Sequence, residues 1–126
     1  MKKQFVVIGL GRFGYSMAKN LTEMGHEVLA IDNSEDNIRQ VVADGYATEA
    51  LQLNSANINA LKKLGLEQFD GVILAIGEDL QSSVLTALNL MKLNVKNLVA
   101  KASTAGHGKI LKSLGVVSPC IIAGGA

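Results

Sequence analysis

The sequence predicts an α/β protein of one domain, residues 1–126, built on a doubly wound parallel sheet. Apolar runs alternate with segments of helical periodicity along the chain. The runs are almost continuously apolar, which is typical of strands that helices cover on both faces. With 48% apolar residues, a chain of 126 residues can form a core of ordinary size. Right-handed crossovers between such strands predict the strand order 3-2-1-4-5-6.

Six apolar runs are the candidate strands. Each is short and rich in valine, isoleucine, leucine or alanine. The sixth, after Gly115, has the weakest pattern. No charged residue follows Lys112, so we expect a buried or partner-facing strand in this tail. The first five runs are Gln4–Ile8, Glu27–Ile31, Ala47–Leu51, Gly71–Ile76 and Asn97–Lys101.

Five segments between the runs have helical spacing of apolar residues. Gly25 ends the first helix, while Asp32–Ser34 and Asn54–Ser55 supply cap residues for the second and third. The fourth is expected from about Asp79 to Lys92. The side chains expected to face the sheet are Phe13, Met17, Leu21 and Met24 in the first helix, Ile38, Val41 and Val42 in the second, Ile58, Leu61 and Leu64 in the third, Leu80, Val84, Leu88 and Met91 in the fourth, and Ile110, Leu111 and Leu114 in the fifth.

A glycine-rich turn, Gly9–Gly14, directly follows the first strand and opens the first helix. Gly9 permits a tight turn, Gly11 lets the backbone approach a pyrophosphate, and Gly14 allows close packing of helix on strand. With Asp32 about twenty residues further on, this is the Rossmann-like dinucleotide-binding fingerprint. The alternative is a strand-to-helix turn that uses glycine only for its conformational freedom. The context favours phosphate binding at the helix N-terminus.

Charged residues near the turn suit a nucleotide. The guanidinium of Arg12 can donate paired hydrogen bonds to phosphate. The alternative is a solvated surface arginine, and the surrounding glycine turn favours the phosphate contact. The Asp32 carboxylate can accept from both ribose hydroxyls, and it can also cap the second helix. It would repel a 2′-phosphate, and no arginine follows it directly, so NADP is disfavoured.

Further candidates end the third, fourth and fifth strands. Asn54–Ser55 can bond the edge of an adenine or cap the next helix. Gly77 leaves room for a ligand. Glu78 is a further candidate for the site, and the alternative is an acidic residue that only stabilises the first turn of the next helix. Lys101 and His107 stand near the expected phosphate tail, with solvated surface roles as the alternative. His26 lies at the opposite edge, and we assign it no function.

Composition excludes several classes of protein. A net charge of +1 and 4% aromatic residues argue against nucleic-acid binding. No apolar stretch reaches the roughly 18 residues of a membrane span, so we expect no direct membrane insertion. The N-terminus has no signal-peptide pattern, which favours a cytoplasmic location. Cys120 is interpreted as structural, and we find no catalytic constellation and no metal-ligand spacing.

Several segments together resemble the RCK or KTN nucleotide-binding domain of Ktr- and Trk-type potassium transport regulators. The resemblance covers nearly the whole chain and is more specific than the glycine turn alone. It is carried by Phe5–Gly14, Met24–Asp32, Leu64–Leu66 before Phe69–Asp70, Leu74–Gly77 followed by Gln81–Ser83, Lys101–Ala102, and His107 with Lys109.

The resemblance implies a subunit that binds NAD or NADH, or ATP or ADP, on the inner face of the cell membrane. It implies a homodimer and a higher ring, an octamer in this family, on a membrane potassium transporter or channel. Nucleotide exchange would reshape the ring. The residues expected to contact the nucleotide are Gly9, Leu10, Gly11, Arg12, Phe13, Gly14, Asp32, Asn33, Ser34, Asn54, Ser55, Ile76, Gly77, Glu78, Lys101, Ala102, Ser103 and His107.

The resemblance ends near the C-terminus. Family members usually have a Pro-Glu pair that can help hold a metal or the far phosphate, whereas here Pro119 precedes Cys120 and no acid follows. We therefore expect the nucleotide-binding domain alone, without the C-terminal regulatory domain. Two other interpretations are the cofactor domain of an NAD-dependent oxidoreductase and an oligomerisation element with a vestigial site.

Overall fold

The computed structural model describes residues 2–116 and 118–121 of the chain. Within these residues, six strands form one sheet. They are β1 Gln4–Ile8, β2 Glu27–Asp32, β3 Glu49–Gln52, β4 Gly71–Leu74, β5 Leu98–Ala102 and β6 Ser118–Ile121. The sheet has the order β3-β2-β1-β4-β5-β6, and all of these pairs are parallel. The predicted doubly wound sheet and its strand order are therefore confirmed.

Five helices of the described residues cover the two faces of the sheet. They are α1 Arg12–Glu23, α2 Glu35–Ala43, α3 Ile58–Lys62, α4 Leu80–Lys92 and α5 Ala105–Ser113, with a 3₁₀ turn at Leu66–Gln68. Helices α1 and α2 pack on one face, and α3, α4 and α5 on the other. The longest, α4, has 13 residues, and no described helix combines the length and apolarity needed to cross a membrane.

Strand β1 lies at the centre of the sheet, between β2 and β4. The register places Val6 between Leu29 and Val72, and these side chains join the core under α3, α4 and α5. Val7 pairs with Ile73, and both join the core under α1 and α2. None of the five is more than 6% exposed. Because successive side chains point to opposite faces and both faces are covered, the strand sequences are continuously apolar.

The predicted inner faces of several helices differ from the structure. Met24, the C-cap of α1, is 69% exposed, and Val42 on α2 is 56% exposed. In α4 the predicted stripe of Leu80, Val84, Leu88 and Met91 was wrong, because small polar residues face inward instead. Leu80 and Met91 are exposed, and Val84 and Leu88 are only half-buried. The buried side of α4 consists of Ser83, Thr86, Ala87, Asn89 and Leu90.

Hydrogen bonds explain why polar side chains are buried on α4. The Thr86 hydroxyl lies 2.8 Å from that of Ser55, and the side-chain NH₂ group of Asn89 donates to the backbone carbonyl oxygens of Ser55 and Ala56. Ser83 bonds to His107. A buried polar group costs little once it is paired, so apolar spacing alone could not locate this face.

Element ends shift by one or two residues from the prediction. Helix α3 begins at Ile58 with Asn57 as its cap, so the predicted cap at Asn54–Ser55 was wrong. The predicted sixth strand is present as β6. The expectation for the tail also concerns residues 117 and 122–126, which lie outside the described residues.

Candidate functional site

A cleft of about 660 Å³ opens at the carboxyl ends of β1 and β4, where the winding of the sheet reverses. This is where ligands bind in open α/β sheets. Most of the predicted site residues line it. Four do not: Phe13, Gly14, Ala102 and His107. The predicted residues that line the cleft are Gly9, Leu10, Gly11, Arg12, Asp32, Asn33, Ser34, Asn54, Ser55, Ile76, Gly77, Glu78, Lys101 and Ser103.

One side of the cleft, which we call the glycine-loop wall, consists of residues 9–12, Asp32 and Asn37. Gly9 has a φ of +94°, which disfavours a side chain, and its amide donates to the carbonyl of Ile31 at 2.8 Å. A Cβ on Gly14 would lie 1.7 Å from the carbonyl oxygen of Gly9. Gly14 therefore permits α1 to pack on the loop, as its place in the fingerprint predicts.

Gly11 differs from its neighbours because a Cβ there would meet no atom within 4 Å. It is the N-cap residue of α1, and no side chain caps that end of the helix. The first-turn amides and the positive end of the helix dipole therefore remain available to an anion. The open space in front of Gly11 therefore suits an anion.

Asp32, the last residue of β2, holds the glycine-loop wall together. Its Oδ2 accepts from the Leu10 amide at 2.6 Å and from the Asn37 side chain at 3.3 Å. Its Oδ1 accepts from the Ser34 amide at 2.8 Å. Each carboxylate oxygen has two lone-pair directions, and these three bonds leave one of the four, on Oδ1, for a ribose hydroxyl.

Sequence reasoning missed Asn37 in this wall. It lies on α2, one turn after the cap residue Ser34, and its side chain reaches Asp32. The signal was present, because a residue in the first turn of a capped helix lies close to the end of the preceding strand. The other lining residues that the prediction omitted are Ile8, Ile31, Leu53, Ala75, Asp79 and Ser82.

On the side of the cleft expected to hold the base, the side-chain oxygen of Asn54 and the hydroxyl of Ser55 already have hydrogen-bond partners. The Asn54 carboxamide accepts from the Ala56 amide at 3.0 Å. The Ser55 hydroxyl is bonded to Thr86, and the residue is 6% exposed. Both residues line the cleft, but these contacts shape the loop.

The opposite side, which we call the distal wall, consists of Gly77, Lys101 and Ser103. The Ser103 hydroxyl donates to the carbonyl of Gly77, joining the segments that follow β4 and β5. A Cβ on Gly77 would lie 2.7 Å from Nζ of Lys101, so only glycine gives the lysine this close approach. Lys101 is 7% exposed, and the wall presents a nearly buried cation to the cleft.

Acidic residues border the distal wall. Asp79 caps α4, accepting from the Ser82 amide at 3.0 Å and from its hydroxyl at 2.7 Å. The backbone N–H of Ser82 lowers the pKa of the Asp79 carboxyl, so it is ionised at neutral pH. Glu78 is exposed.

His107 stands behind the distal wall and is 4% exposed. Its Nδ1 accepts from the Ser103 amide at 3.1 Å, and its Nε2 lies 2.9 Å from the Ser83 hydroxyl. Burial lowers the pKa of the imidazole. The structure therefore places His107 as a support of the wall.

The arrangement suits binding of an extended, phosphate-bearing molecule. Helix amides and Arg12 face one stretch of the cleft, a carboxylate suited to hydroxyl groups lies beside them, and Lys101 lies across from them. Among the described residues, no group of three or more histidine, cysteine, aspartate or glutamate side chains is placed to hold a metal ion.

Comparison with known proteins agrees with this geometry. A family model described as the TrkA-N domain matches residues 5–120. Ktr system potassium uptake protein A of Bacillus subtilis is 46% identical over 113 residues, which are 90% of this chain and 50% of that protein. The chain thus spans about half the length of this relative.

Solved structures share the fold. The NAD(P)-binding domain of an exopolyphosphatase-related protein from Archaeoglobus fulgidus superposes with a TM-score of 0.84 at 20% identity, covering 95% of this chain and 88% of that one. The GsuK channel bound to NAD superposes with a TM-score of 0.82 at 12% identity, covering 95% of this chain and 21% of that one. At these identities the likeness concerns the fold.

Proposed function

The chain belongs to the TrkA-N domain family, and from that premise we propose a cytoplasmic, nucleotide-sensing regulatory subunit that gates a membrane potassium channel or transporter. The Bacillus relative is named as a potassium uptake protein, and the GsuK channel is described as bound to NAD. The observation that carries the proposal is the glycine loop, which Asp32 ties to β2 beside the open space in front of Gly11.

The proposed ligand is NAD or NADH, or ATP or ADP. Its phosphates lie against the amides of the first turn of α1 and against Arg12. A ribose binds Asp32, with Asn37 holding the carboxylate in place. The anionic carboxylate disfavours the 2′-phosphate of NADP. The end of the ligand that lies away from Asp32 meets Lys101 on the distal wall.

Calorimetry with NADH, NAD, ATP and ADP on the 126-residue protein tests this assignment. We expect at least one of them to bind with a Kd below 1 mM, on the order of 4 kcal/mol or more of binding free energy. Asp32→Ala should weaken binding, whereas Asp36→Ala, an exposed acid one turn away, serves as the matched control. Failure of all four to bind the wild-type protein at millimolar concentration would contradict the proposal.

The proposal gives the site a binding role without chemistry. We expect NADH incubated with the protein and a panel of carbonyl substrates to keep its absorbance at 340 nm, as hydride transfer would need an acid or base over the nicotinamide. Enzyme-dependent oxidation of NADH would favour the alternative function, an oxidoreductase cofactor domain.

We further propose that the chain assembles as a homodimer and a higher ring, an octamer in the family it resembles. The exposed surface of α4 supports this assembly. Leu80, Leu85 and Met91 are 47%, 40% and 36% exposed, and no charged residue stands between Leu80 and Met91. Two copies of a surface that exposes apolar side chains and little charge can associate with little like-charge repulsion.

Light scattering with and without nucleotide measures the assembly. Leu85→Glu should lower the mass, because a charge in an apolar interface must be desolvated. Met24→Glu is the control, since Met24 is 69% exposed at the end of α1, which packs on the opposite face of the sheet from α4. A monomeric wild-type mass under all conditions would exclude the ring.

A further inference from the structure

A short chain of hydrogen bonds runs from the core to the distal wall through His107. The amide of Ser103 has only a proton to give, so Nδ1 of His107 must accept it. The ring is then neutral, carries its proton on Nε2, and donates to the Ser83 hydroxyl. The structure thus selects one tautomer of a residue that sequence reasoning placed against the phosphates.

The chain continues into the cleft. The Ser103 hydroxyl donates to the Gly77 carbonyl, and Gly77 lies directly against the head of Lys101. Ser103, Gly77 and Lys101 all line the cleft, whereas His107 does not. His107 therefore acts on a ligand indirectly, and Ser103 is its hydrogen-bond partner that lines the cleft.

We propose that His107 is a positioning residue for the nucleotide, and that its neutral ring sets the distal wall in the form that accepts the anionic end of the ligand. This inference rests on the proposed nucleotide site. Protonation at Nδ1 replaces the acceptor with a donor facing the Ser103 amide. The Ser103 segment must then move, and the Gly77 and Lys101 wall moves with it.

The surroundings of His107 keep it neutral at neutral pH. Helix α4 contributes the uncharged Ser83, and no charged residue stands between Leu80 and Met91. Strand β5 contributes the cation Lys101, and α5 carries Lys109 and Lys112. The acids after β4, Glu78 and Asp79, are exposed, and neither is a hydrogen-bond partner of the ring.

The position of His107 on α5 acts in the same direction. Thr104 caps this helix and accepts from the His107 amide at 3.1 Å, so the ring lies in the first turn. The positive end of the helix dipole disfavours an imidazolium there. Desolvation and the dipole both oppose protonation, so the wall changes only below the ordinary histidine pKa of 6.5.

Nucleotide affinity measured against pH on the 126-residue protein tests the proposal. NAD is the first probe, because its phosphates keep their charge between pH 5 and 8, and ADP is run in parallel. We expect the wild-type affinity to fall as the pH decreases below 6.5, toward a loss of about 5- to 10-fold once the ring is fully protonated, the effect of losing one hydrogen bond.

Two substitutions of His107 test the roles of its two ring nitrogens one at a time. His107→Asn places an amide oxygen near the Nδ1 position and does not titrate, so it should keep tight binding and flatten the pH profile. His107→Gln reaches toward Ser83 but removes the acceptor for Ser103, so it should bind about 5- to 10-fold more weakly at pH 7.5. His26→Asn is the control, since His26 accepts from the Lys3 amide away from the cleft, and it should follow the wild type.

A further variant tests the link to the cleft without altering His107. Ser103→Ala keeps the amide and removes the hydroxyl bond to Gly77, so it should weaken binding and flatten the profile. Parallel pH profiles for the wild type and His107→Asn, or an unchanged profile in Ser103→Ala, would overturn the proposal. A wild-type protein that binds none of the nucleotides at pH 7.5 contradicts the nucleotide site itself, which is a separate outcome.

Discussion

The two walls of the cleft are built in different ways. The glycine-loop wall is held by backbone geometry and one carboxylate, with Asp32 accepting from the Leu10 amide at 2.6 Å. The distal wall is held by side chains from separate elements, as Ser103 joins β5 to β4 and His107 joins Ser103 to α4. The geometry of the glycine-loop wall depends on residues that lack a side chain. The geometry of the distal wall depends on hydrogen bonds between side chains of different elements.

Because of this difference, we expect the glycine-loop wall to be rigid and the distal wall to be adjustable. A backbone loop packed against a helix has no alternative rotamer, so a change at Gly14 must move the main chain. In the distal wall, protonation of the histidine alone can break the hydrogen bond to the serine. We therefore expect the glycine-loop wall to supply binding strength and the distal wall to modulate it.

The largest effect is expected from Gly14→Ala. The added Cβ would lie 1.7 Å from the Gly9 carbonyl oxygen, a backbone atom that cannot rotate away. We expect the free energy of unfolding to fall by roughly 3 kcal/mol or more, as measured by urea denaturation. Gly11→Ala is the matched control, because its Cβ meets no atom. It should unfold within about 0.5 kcal/mol of the wild type and lose nucleotide affinity. Equal stability of the two variants would remove the distinction between these glycines.

The next largest effect concerns Asp32. Removing the carboxylate in Asp32→Ala leaves the Leu10 and Ser34 amides and the Asn37 side chain without their acceptor. We expect a roughly 10- to 100-fold loss of nucleotide affinity, since hydrogen bonds to a charged group contribute more than neutral ones. Asp32→Asn keeps one acceptor oxygen, so its nucleotide affinity should lie between that of the wild type and that of Asp32→Ala. Wild-type affinity in Asp32→Ala would show that the glycine-loop wall forms without its carboxylate.

A smaller effect is expected in the distal wall from Gly77→Ala. The new methyl group would meet the end of the Lys101 side chain, at 2.7 Å from Nζ, and a flexible side chain can move aside. We expect an affinity loss of about 5- to 10-fold, with a melting temperature close to that of the wild type. Calorimetry and thermal melts give the two values. A loss of stability as large as that of Gly14→Ala would mean that both walls are equally rigid.

The smallest effect is the dependence of stability on pH that comes from His107. Burial lowers its pKa in the folded protein below the value of 6.5 for the free side chain. The unfolded state then binds the proton more readily, so the stability present above pH 6.5 falls as the pH decreases toward the folded-state pKa. Urea denaturation at pH 5.5, 6.5 and 7.5 should show this decrease in the wild type and less of it in His107→Asn. If the wild type and His107→Asn lose the same stability between pH 7.5 and 5.5, a group other than His107 is responsible for the pH dependence.

The glycine-loop wall was largely predictable from the sequence. Gly9, Gly11 and Gly14 stand at fixed spacing between a strand and a helix, and Asp32 ends the next strand. Each lies where its neighbours in the chain place it, so the local pattern carries the geometry. Asn37 was missed, although its place in the first turn of the helix that Ser34 caps is also a local signal.

The distal wall and the orientation of α4 could not be predicted in the same way. Ser83, Thr86 and Asn89 are polar, and their burial depends on partners that stand 24 or more residues away in the chain. Apolar spacing assigned the opposite face of the helix to the core. The same limit applied to His107. Its position alone favoured a surface role and the family resemblance implied a phosphate contact, whereas packing against Ser83 and Ser103 buries it.

The sequence by itself determined the alternation of strands and helices, the parallel sheet with its order, and the glycine turn beside an acid, because hydrophobic periodicity and backbone freedom are local properties. The tertiary structure alone decided which face of α4 is buried, which hydroxyl groups are paired, and that His107 supports the distal wall from behind. Those outcomes depend on hydrogen bonds between distant segments, and such bonds exist only once the sheet has brought the segments together.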